Sequence, residues 1–386
     1  MKKLGLIVGG LLLITLAFVH FVLPGQVERG QNAVIPHDAY PVGGAATALH
    51  ETLFIADLHS DSLLWKRNLL ERSSTGHMDL PRLREGNVAL QVFSATTKSP
   101  SGLNYERNEA GSDDITLLAV ASFWPPRTWG SIYERAVYQL QKLRRLADDS
   151  ELALIATSGQ LRDLIDARDA GEPRIGAVYL IEGAHPLEGD IAKLDALYEQ
   201  GLRIAGLTHF FDNETGGSLH GVSGAGLTDF GRAVVRRADE LGLIIDVAHA
   251  SPAMVDEVLA LTRRPVILSH GGVRGTCDTA RNLADEQMRR IAAAGGLVGI
   301  GYWDAAVCDI TPAGVVRSIR HAIDLLGAEH VALGSDYDGA TTVAFDTSEL
   351  SALTQAMLDA GFSEQEIRLV MGENVKRFLL QYLPES

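Results

Sequence analysis

From residue 51 onward, short apolar runs alternate with longer amphipathic stretches along the chain. The runs are rich in β-branched residues and predict eight strands, at 53–59, 87–94, 176–181, 203–208, 243–248, 265–269, 297–302 and 330–335. The amphipathic stretches predict helices at 132–148, 190–201, 228–242, 252–262, 284–295, 312–327, 347–360 and 363–381. Because strands that alternate with helices form parallel sheets, this pattern predicts an α/β fold, a (β/α)8 TIM barrel.

The N-terminal part of the chain has a different pattern. Lys2 and Lys3 precede an apolar stretch at 4–23 that is long enough to cross a bilayer. We find no convincing small-x-small cleavage site at its end, so the pattern favours a single transmembrane helix over a cleaved signal segment. Both interpretations export the remainder of the chain, which places the catalytic part outside the cytoplasm, in the periplasm of a bacterium.

These patterns divide the chain into three parts. Residues 1–23 are the membrane anchor or signal segment, 24–50 are a linker without apolar periodicity, and 51–386 are the barrel domain. Within the barrel, 97–127 are predicted to be a long loop over its mouth. Residues 152–156 predict an extra short strand.

Residues with metal-ligand chemistry follow six of the eight predicted strands: His59, Asp61, Glu182, His209, His249, His270 and Asp336. One histidine after a strand is more often a packing residue, and one carboxylate is more often a helix N-cap. Repetition at six strand ends is different, because the carboxyl ends of barrel strands meet at a single rim. We therefore expect a metallohydrolase centre at this rim.

Imidazole and carboxylate ligands without thiolate suit Zn²⁺, with Mn²⁺, Co²⁺ or Fe²⁺ as alternatives. The ligands are too many for one tetrahedral zinc, so we expect two zinc ions per chain. Two cations about 3.5–4 Å apart need a bridging carboxylate and activate a shared water as hydroxide. Glu182 is the natural bridge.

Composition and charge exclude several other classes of protein. The net charge is −15 and no Lys/Arg-rich run occurs, which argues against a nucleic-acid partner. Cys277 and Cys308 are the only cysteines, which excludes a cysteine-rich zinc module. They could form one disulfide in an exported chain, or remain two free buried thiols. Neither Ser60 nor Ser269 lies in a Gly-x-Ser-x-Gly turn, which argues against a serine hydrolase.

Eight motifs between about residues 52 and 380 follow one another in a recognisable order. They are His59-Ser60-Asp61, Gly76 to Gly86 (GHMDLPRLREG), Glu182-Gly183, Leu207-Thr208-His209, Asp246-Val247-Ala248-His249, Ser269-His270, Ala280-Arg281-Asn282 and Gly334 to Gly339 (GSDYDG). In this order they resemble the membrane dipeptidase (renal dipeptidase) family, peptidase family M19, of the amidohydrolase-like metal-dependent hydrolases. Two departures are His-Ser-Asp in place of the usual His-Asn-Asp and an unusual segment after His209.

The resemblance implies that one zinc is bound by His59, Asp61 and Glu182, and that the other is bound by Glu182, His249 and His270. It also implies catalytic or substrate-binding roles for Glu182, His209, Arg281 and Asp336, and a disulfide between Cys277 and Cys308. These roles agree with the chemistry of the side chains. An imidazole can stabilise an oxyanion, a guanidinium suits a C-terminal carboxylate, and a carboxylate can carry a proton from water to the leaving amine.

We therefore expect a zinc-dependent metallo-dipeptidase that hydrolyses the peptide bond of dipeptides by a bridging hydroxide at a binuclear site. Acceptance of a D-residue at the C-terminal position and assembly as a homodimer are left open. Another amide, ester or lactone hydrolase using the same two metals is the alternative, and so is a membrane-tethered binding protein without catalysis. Arg281 discriminates among the hydrolases, because a neutral lactone has no use for a guanidinium.

Overall fold

Parallel strands form a closed barrel in the computed structural model, which describes residues 2–385 apart from the side chains at positions 2, 4–6, 8, 11 and 12. The strands are β1 (Ala33–Val34), β2 (Ile55–Ser60), β3 (Val88–Thr96), β4 (Leu152–Leu154), β5 (Ile175–Glu182), β6 (Leu202–Gly206), β7 (Ile244–Asp246), β8 (Ile267–Leu268), β9 (Leu297–Ile300), β10 (Val331–Leu333) and β11 (Thr342–Val343). The order β3-β2-β10-β9-β8-β7-β6-β5 closes through pairing of β3 with β5. This confirms the predicted (β/α)8 TIM barrel.

Helices follow the strands and cover the outside of the barrel. They are α1 (Lys2–Phe21), α2 (Leu23–Gln31), α3 (Gly44–His50), α4 (Leu80–Glu85), α5 (Asp114–Ala121), α6 (Arg127–Gly130), α7 (Ile132–Asp148), α8 (Ser158–Asp169), α9 (Ala192–Glu199), α10 (Asp229–Leu241), α11 (Pro252–Leu261), α12 (Asp285–Ala293), α13 (Asp304–Val307), α14 (Pro312–Leu326), α15 (Leu350–Asp359), α16 (Glu364–Arg368) and α17 (Asn374–Tyr382). Short 3₁₀ turns occur at His185–Leu187, Ala328–His330 and Thr347–Glu349.

The barrel interior is a packed core. One buried apolar cluster takes residues from all eight barrel strands: Ala56, Leu58, Leu90, Val92, Val178, Leu180, Ile204, Ile244, Ile267, Leu297 and Ala332. Leu161 of α8 and Phe378 of α17 pack into the same cluster. Because apolar side chains fill the interior, polar chemistry is confined to the rim.

All eight predicted barrel strands are present with small shifts of their ends, and β4 is the predicted extra strand. The helix predicted at 363–381 is interrupted between α16 and α17. Gly372 lies at the interruption, where a Cβ atom would come within 1.9 Å of the Phe54 carbonyl oxygen. The helix therefore changes course where it approaches the start of β2.

Two segments predicted to lack regular structure contain helices. The loop predicted at 97–127 includes α5, which buries Ile115 and Ala119 against Trp65. The linker predicted at 24–50 includes α2, β1 and α3, and β1 pairs with β11. Each of these helices is short and buries only a few residues, so the segments show no apolar periodicity in the sequence.

The N-terminal prediction falls partly on residues outside the description, namely Met1 and several side chains of α1. Among the residues that were described, no helix is both long and apolar enough to cross a bilayer. Cys277 and Cys308 form a disulfide, which decides against two free thiols.

Candidate metal centre

Seven side chains at the carboxyl ends of the strands form a cluster with Glu182 at its centre. They are His59, Asp61, Glu182 itself, His209, His249, His270 and Asp336, and all are buried. Glu182 Oε1 is 3.5 Å from His59 Nε2, 3.2 Å from His249 Nε2 and 3.5 Å from His270 Nε2. Its other oxygen, Oε2, is 3.4 Å from His209 Nε2. One carboxylate is therefore within reach of four imidazoles.

The first predicted ligand set is compact. His59 Nε2 is 3.6 Å from Asp61 Oδ2 and 4.0 Å from Asp336 Oδ1, in addition to its contact with Glu182. In the second set, the Nε2 atoms of His249 and His270 are 2.9 Å apart. The same atoms also allow other groupings, since His209 lies with Glu182 and His249, and Asp336 lies with His59 and His270.

These residues fit divalent cations. His59 Nε2 is buried and has no hydrogen-bond partner within the described chain, although three carboxylates surround it. A buried ring nitrogen without a partner is costly, and so is a cluster of buried carboxylates without cations. Metal ligation would satisfy both, and imidazole with carboxylate is a common ligand combination for zinc.

Strand register brings a hydroxyl between two of the carboxylates. β3 and β5 pair from Leu90 opposite Gly176 to Thr96 opposite Glu182. At the end of this ladder, Thr96 Oγ1 is 2.7 Å from Asp61 Oδ1 and 2.9 Å from Glu182 Oε2. The hydroxyl can therefore orient either carboxylate toward the centre of the site.

A serine orients one imidazole. Ser269 Oγ donates to Asp246 Oδ2 at 2.5 Å, which leaves its lone pairs free for His270 Nδ1 at 2.9 Å. A proton on Nδ1 leaves the Nε2 lone pair of His270 directed at Glu182. Asp57, which is buried in β2, supports the neighbouring predicted ligand His59 through the backbone. Its carboxylate accepts hydrogen bonds from the backbone N–H groups of His59 and Ser335.

Asp336 lies on a left-handed stretch of backbone. Asp336, Asp338 and Ala340 have φ of 58°, 65° and 61°, which is unusual for residues other than glycine. Asp338 stabilises this loop by accepting hydrogen bonds from Arg67, Ser62 and the His77 N–H. Gly339 leaves room for the Asp336 carboxylate, since a Cβ atom there would lie 2.0 Å from Asp336 Oδ1.

Arg281 is a buried cation beside the metal ligands. Its Nη2 donates to the His270 carbonyl at 2.9 Å, and its guanidinium lies 5.3 Å from the centre of the Trp303 ring. No carboxylate lies within ion-pair distance of it in the described part of the chain, and its Nε has no hydrogen-bond partner there. A buried guanidinium of this kind fits an anionic ligand.

Burial and charge oppose each other throughout the site. Burial lowers the pKa of His59, but Glu182 and Asp61 outweigh it and raise that pKa to about 10. Burial raises the pKa of Asp336 well above its usual value, with His59 opposing the shift. Burial also keeps the pKa values of His249 and His270 well below normal. The lowered pKa values keep His249 and His270 neutral, which is the state that metal ligation needs, whereas a metal ion would have to displace the proton that Glu182 and Asp61 stabilise on His59.

The centre opens into a cavity of about 690 Å³. Its floor includes Asp61, Glu182, His209, His249 and Asp336, and Arg281 lies in its wall. Tyr105, from the segment predicted to be a loop, lines the same cavity, and burial raises its pKa to about 12. Every site residue predicted from the sequence thus borders one cavity or lies directly beneath it.

Four residues of this site were missed by sequence analysis: Thr96, Tyr105, Ser269 as a partner of His270, and Trp303. Ser269 was considered only as a nucleophile. Its position between Asp246 and His270 could have been suspected, because it immediately precedes a strand-end histidine. Nothing in the local sequence marks Thr96 or Tyr105.

Comparison with known proteins agrees with this geometry. The sequence profile of the family described as "Membrane dipeptidase (Peptidase family M19)" matches residues 44–382. Dipeptidase aclJ of Aspergillus oryzae is 28% identical over 357 residues, which are 84% of this chain and 77% of that protein. Mouse Dipeptidase 3 is 27% identical over 335 residues, and the match spans 79% of this chain but only 63% of the mouse protein.

Solved structures share the fold. The probable dipeptidase PvdM from Pseudomonas aeruginosa superposes with a TM-score of 0.74 at 19% identity, covering 89% of this chain and 98% of that one. A metallopeptidase from Rhodobacter sphaeroides, liganded with a phosphinate mimic of the dipeptide L-Ala-D-Ala, superposes with a TM-score of 0.68 at 24% identity, covering 86% of this chain and 99% of that one.

Proposed function

This chain belongs to the membrane dipeptidase family, peptidase family M19, and on that premise we propose that it hydrolyses the peptide bond of free dipeptides at a binuclear zinc site. Family membership confirms the prediction of a metallo-dipeptidase. The proposal adds the identity and number of the metals, the roles of individual residues and the substrate class of this chain. Acceptance of a D-residue at the C-terminal position is part of the proposal to be tested.

One observation supports the proposal most strongly. A buried carboxylate with four imidazoles around it borders the same cavity as a buried guanidinium, and this guanidinium has no carboxylate partner among the described residues. The cluster around the Glu182 carboxylate is suited to binding cations, and the Arg281 guanidinium is suited to binding an anion. A free dipeptide has its carboxylate close to its only peptide bond, so it can occupy both at once.

The distances are compatible with the ligand assignment that the family resemblance implies. His59, Asp61 and Glu182 would hold one zinc, and Glu182, His249 and His270 would hold the other, with Glu182 as the shared ligand. When bound, the two cations would supply a hydroxide near neutral pH and polarise the substrate carbonyl. Thr96 and Ser269 would keep their partners in the orientation that ligation requires.

The remaining residues act on the substrate. Arg281 would bind the C-terminal carboxylate, with the Tyr105 phenol in the same wall as a second donor. His209, beside Glu182 Oε2, would stabilise negative charge on the carbonyl oxygen. Asp336 would accept a proton from water and transfer it to the leaving amine. Burial raises the pKa of Asp336, and nearby cations would oppose that shift.

We also propose that the catalytic domain lies outside the cytoplasm. The disulfide between Cys277 and Cys308 supports this location, because disulfides persist mainly in oxidising compartments. Three other features stay predictions. They are attachment to a membrane, assembly as a homodimer, and division of the chain into 1–23, 24–50 and 51–386.

A substrate panel tests the proposal. The full chain is incubated with L-Ala-L-Ala, L-Ala-D-Ala, N-acetyl-L-Ala-L-Ala, a tripeptide and a simple lactone, each with added zinc and after chelation. Zinc-dependent cleavage restricted to free dipeptides is the expected result. Turnover of the lactone with inert dipeptides would overturn the substrate class and favour the alternative hydrolase.

A further inference from the structure

The helix α2 forms one wall of the active-site cavity. Leu23, Pro24, Val27 and Gln31 all border the cavity, together with Asp61 and Gly339. Pro24, Val27 and Gln31 belong to the segment 24–50 that the sequence predicts to be a linker, and Leu23 is the last residue of the predicted anchor or signal segment. The catalytic cavity is therefore completed by residues that lie before the first barrel strand.

A buried ion pair docks α2 on the barrel. Glu28 is only 2% exposed, and its Oε1 accepts from Arg67 Nη1 at 2.5 Å. Arg67 also donates to Asp338, the residue that stabilises the loop after Asp336, and to the Met78 carbonyl at 2.6 Å. A buried carboxylate requires such a partner, so this contact specifies where α2 lies.

The end of α2 is attached to the same loop. Asn32 Oδ1 accepts from the Ala340 N–H at 2.9 Å, and Asn32 is buried. Two residues later, β1 pairs in parallel with β11, and the Ile35 N–H donates to the Val343 carbonyl at 2.8 Å. Asn32 and Ile35 thus contact the segment that follows Asp336, at Ala340 and Val343.

Two side chains of α2 are not needed for docking. Val27 is 37% exposed, and Gln31 is exposed and makes no side-chain hydrogen bond within the described residues. Both nevertheless border the cavity. They lie on its β2/β10 side, whereas His209 and Phe210 follow β6 on the opposite part of the barrel.

We propose that α2 limits the size of the substrate side chain, with Val27 and Gln31 as specificity-determining residues. The inference depends on the proposed dipeptidase activity, because it concerns the same cavity. A side chain that extends from the metal centre toward β2 and β10 meets Val27 and Gln31 at the cavity mouth. Small dipeptides leave that space empty, and bulky ones must share it with α2.

Substitutions on α2 of the full chain test this assignment. The variants are Val27→Trp, Val27→Ala and Gln31→Ala, and kcat/KM is measured for L-Ala-L-Ala, L-Ala-L-Phe and L-Phe-L-Ala. Matched controls are Val22→Trp and Gln26→Ala, which change exposed residues of the same segment that do not border the cavity. Thermal unfolding of each variant establishes that it is folded.

Val27→Trp should lower kcat/KM for at least one phenylalanine dipeptide about tenfold relative to L-Ala-L-Ala. Val27→Ala and Gln31→Ala should shift the same ratio in the opposite direction, and the controls should leave it unchanged. Equal ratios in every folded variant would overturn the role of α2. Inactivity of the unmodified enzyme on all three dipeptides would instead refute the proposed function, so the two failures are distinguishable.

Discussion

Thr96 Oγ1 lies 2.9 Å from Glu182 Oε2, and the seven-residue ladder between β3 and β5 ends at this pair. The hydroxyl is the nearest neutral donor to the proposed bridging carboxylate. Its position depends on strand register alone, since residues 96 and 182 are far apart in the chain.

Thr96→Val should weaken metal binding about 10- to 100-fold, because it removes the donor that orients Asp61 and Glu182 while conserving volume. The measurement is competition of the purified enzyme with a zinc chelator. Thr96→Ser retains the hydroxyl and should retain most of the affinity. Equal zinc affinity in Thr96→Val and the unmodified enzyme would contradict this role.

Glu182→Gln should remove the charge shared by the two proposed zinc sites. We expect metal content to fall from two ions per chain and kcat/KM to fall at least about 100-fold, since a lost ligand costs no less than a lost supporting contact. Metal content is measured by elemental analysis after dialysis. Two bound ions with full activity in this variant would refute the bridging assignment.

Arg281→Ala should raise KM for dipeptides about 10- to 100-fold, as expected for loss of a charged hydrogen bond worth about 1.5–3 kcal/mol. The same variant should discriminate poorly between L-Ala-L-Ala and its C-terminal amide, which the unmodified enzyme should distinguish strongly. Both substrates are compared by initial rates. Undiminished preference for the free acid would show that another group binds the carboxylate.

Gly339→Ala should displace the Asp336 carboxylate, because the added methyl would lie 2.0 Å from Asp336 Oδ1 and 3.0 Å from Asp61 Oδ2. We expect kcat to fall about 100-fold, as for misplacement of a reacting group by about 1 Å. Gly44→Ala, where no atom lies within 4 Å of the added methyl, is the control. Normal kcat in a folded Gly339→Ala enzyme would exclude Asp336 from proton transfer.

Glu28 should make the stability of the docked α2 depend on pH. Burial raises its pKa from 4.5 to about 7, against the opposing charges of Arg67 and Lys142 and with Asp338 adding to the rise. Between pH 4.5 and about 7, the folded state therefore retains a proton on Glu28 that the unfolded state has already released. The resulting stability is fully present below pH 4.5 and is lost as pH rises through about 7.

The test compares the unmodified enzyme with Glu28→Gln at several pH values between 4 and 8. Lys142, whose pKa is lowered to about 7 mainly by burial, titrates in both proteins, and loss of the Glu28 charge lowers its pKa further in the variant. The unmodified enzyme should lose roughly 3 kcal/mol relative to Glu28→Gln over this interval, measured by denaturant unfolding. A difference that does not change with pH would contradict the raised pKa.

The local pattern of the sequence is sufficient for the barrel and for the residues at its rim. A strand buried on both faces is mostly apolar, so a cluster of polar residues such as His59 and Asp61 indicates where the strand ends. Strand ends of a parallel barrel meet at one rim, and the convergence on Glu182 follows from that geometry.

The tertiary structure alone decided which partners support those residues. Thr96 faces Glu182 through the register of two strands, and Ser269 reaches Asp246 through the pairing of two others. The docking of α2 depends on Glu28, Arg67 and Asp338, which come from three distant parts of the chain. The periodicity of apolar residues indicates only which side chains of a segment pack into the core. A helix that is docked by a buried ion pair and has little apolar surface therefore shows no such pattern in the sequence.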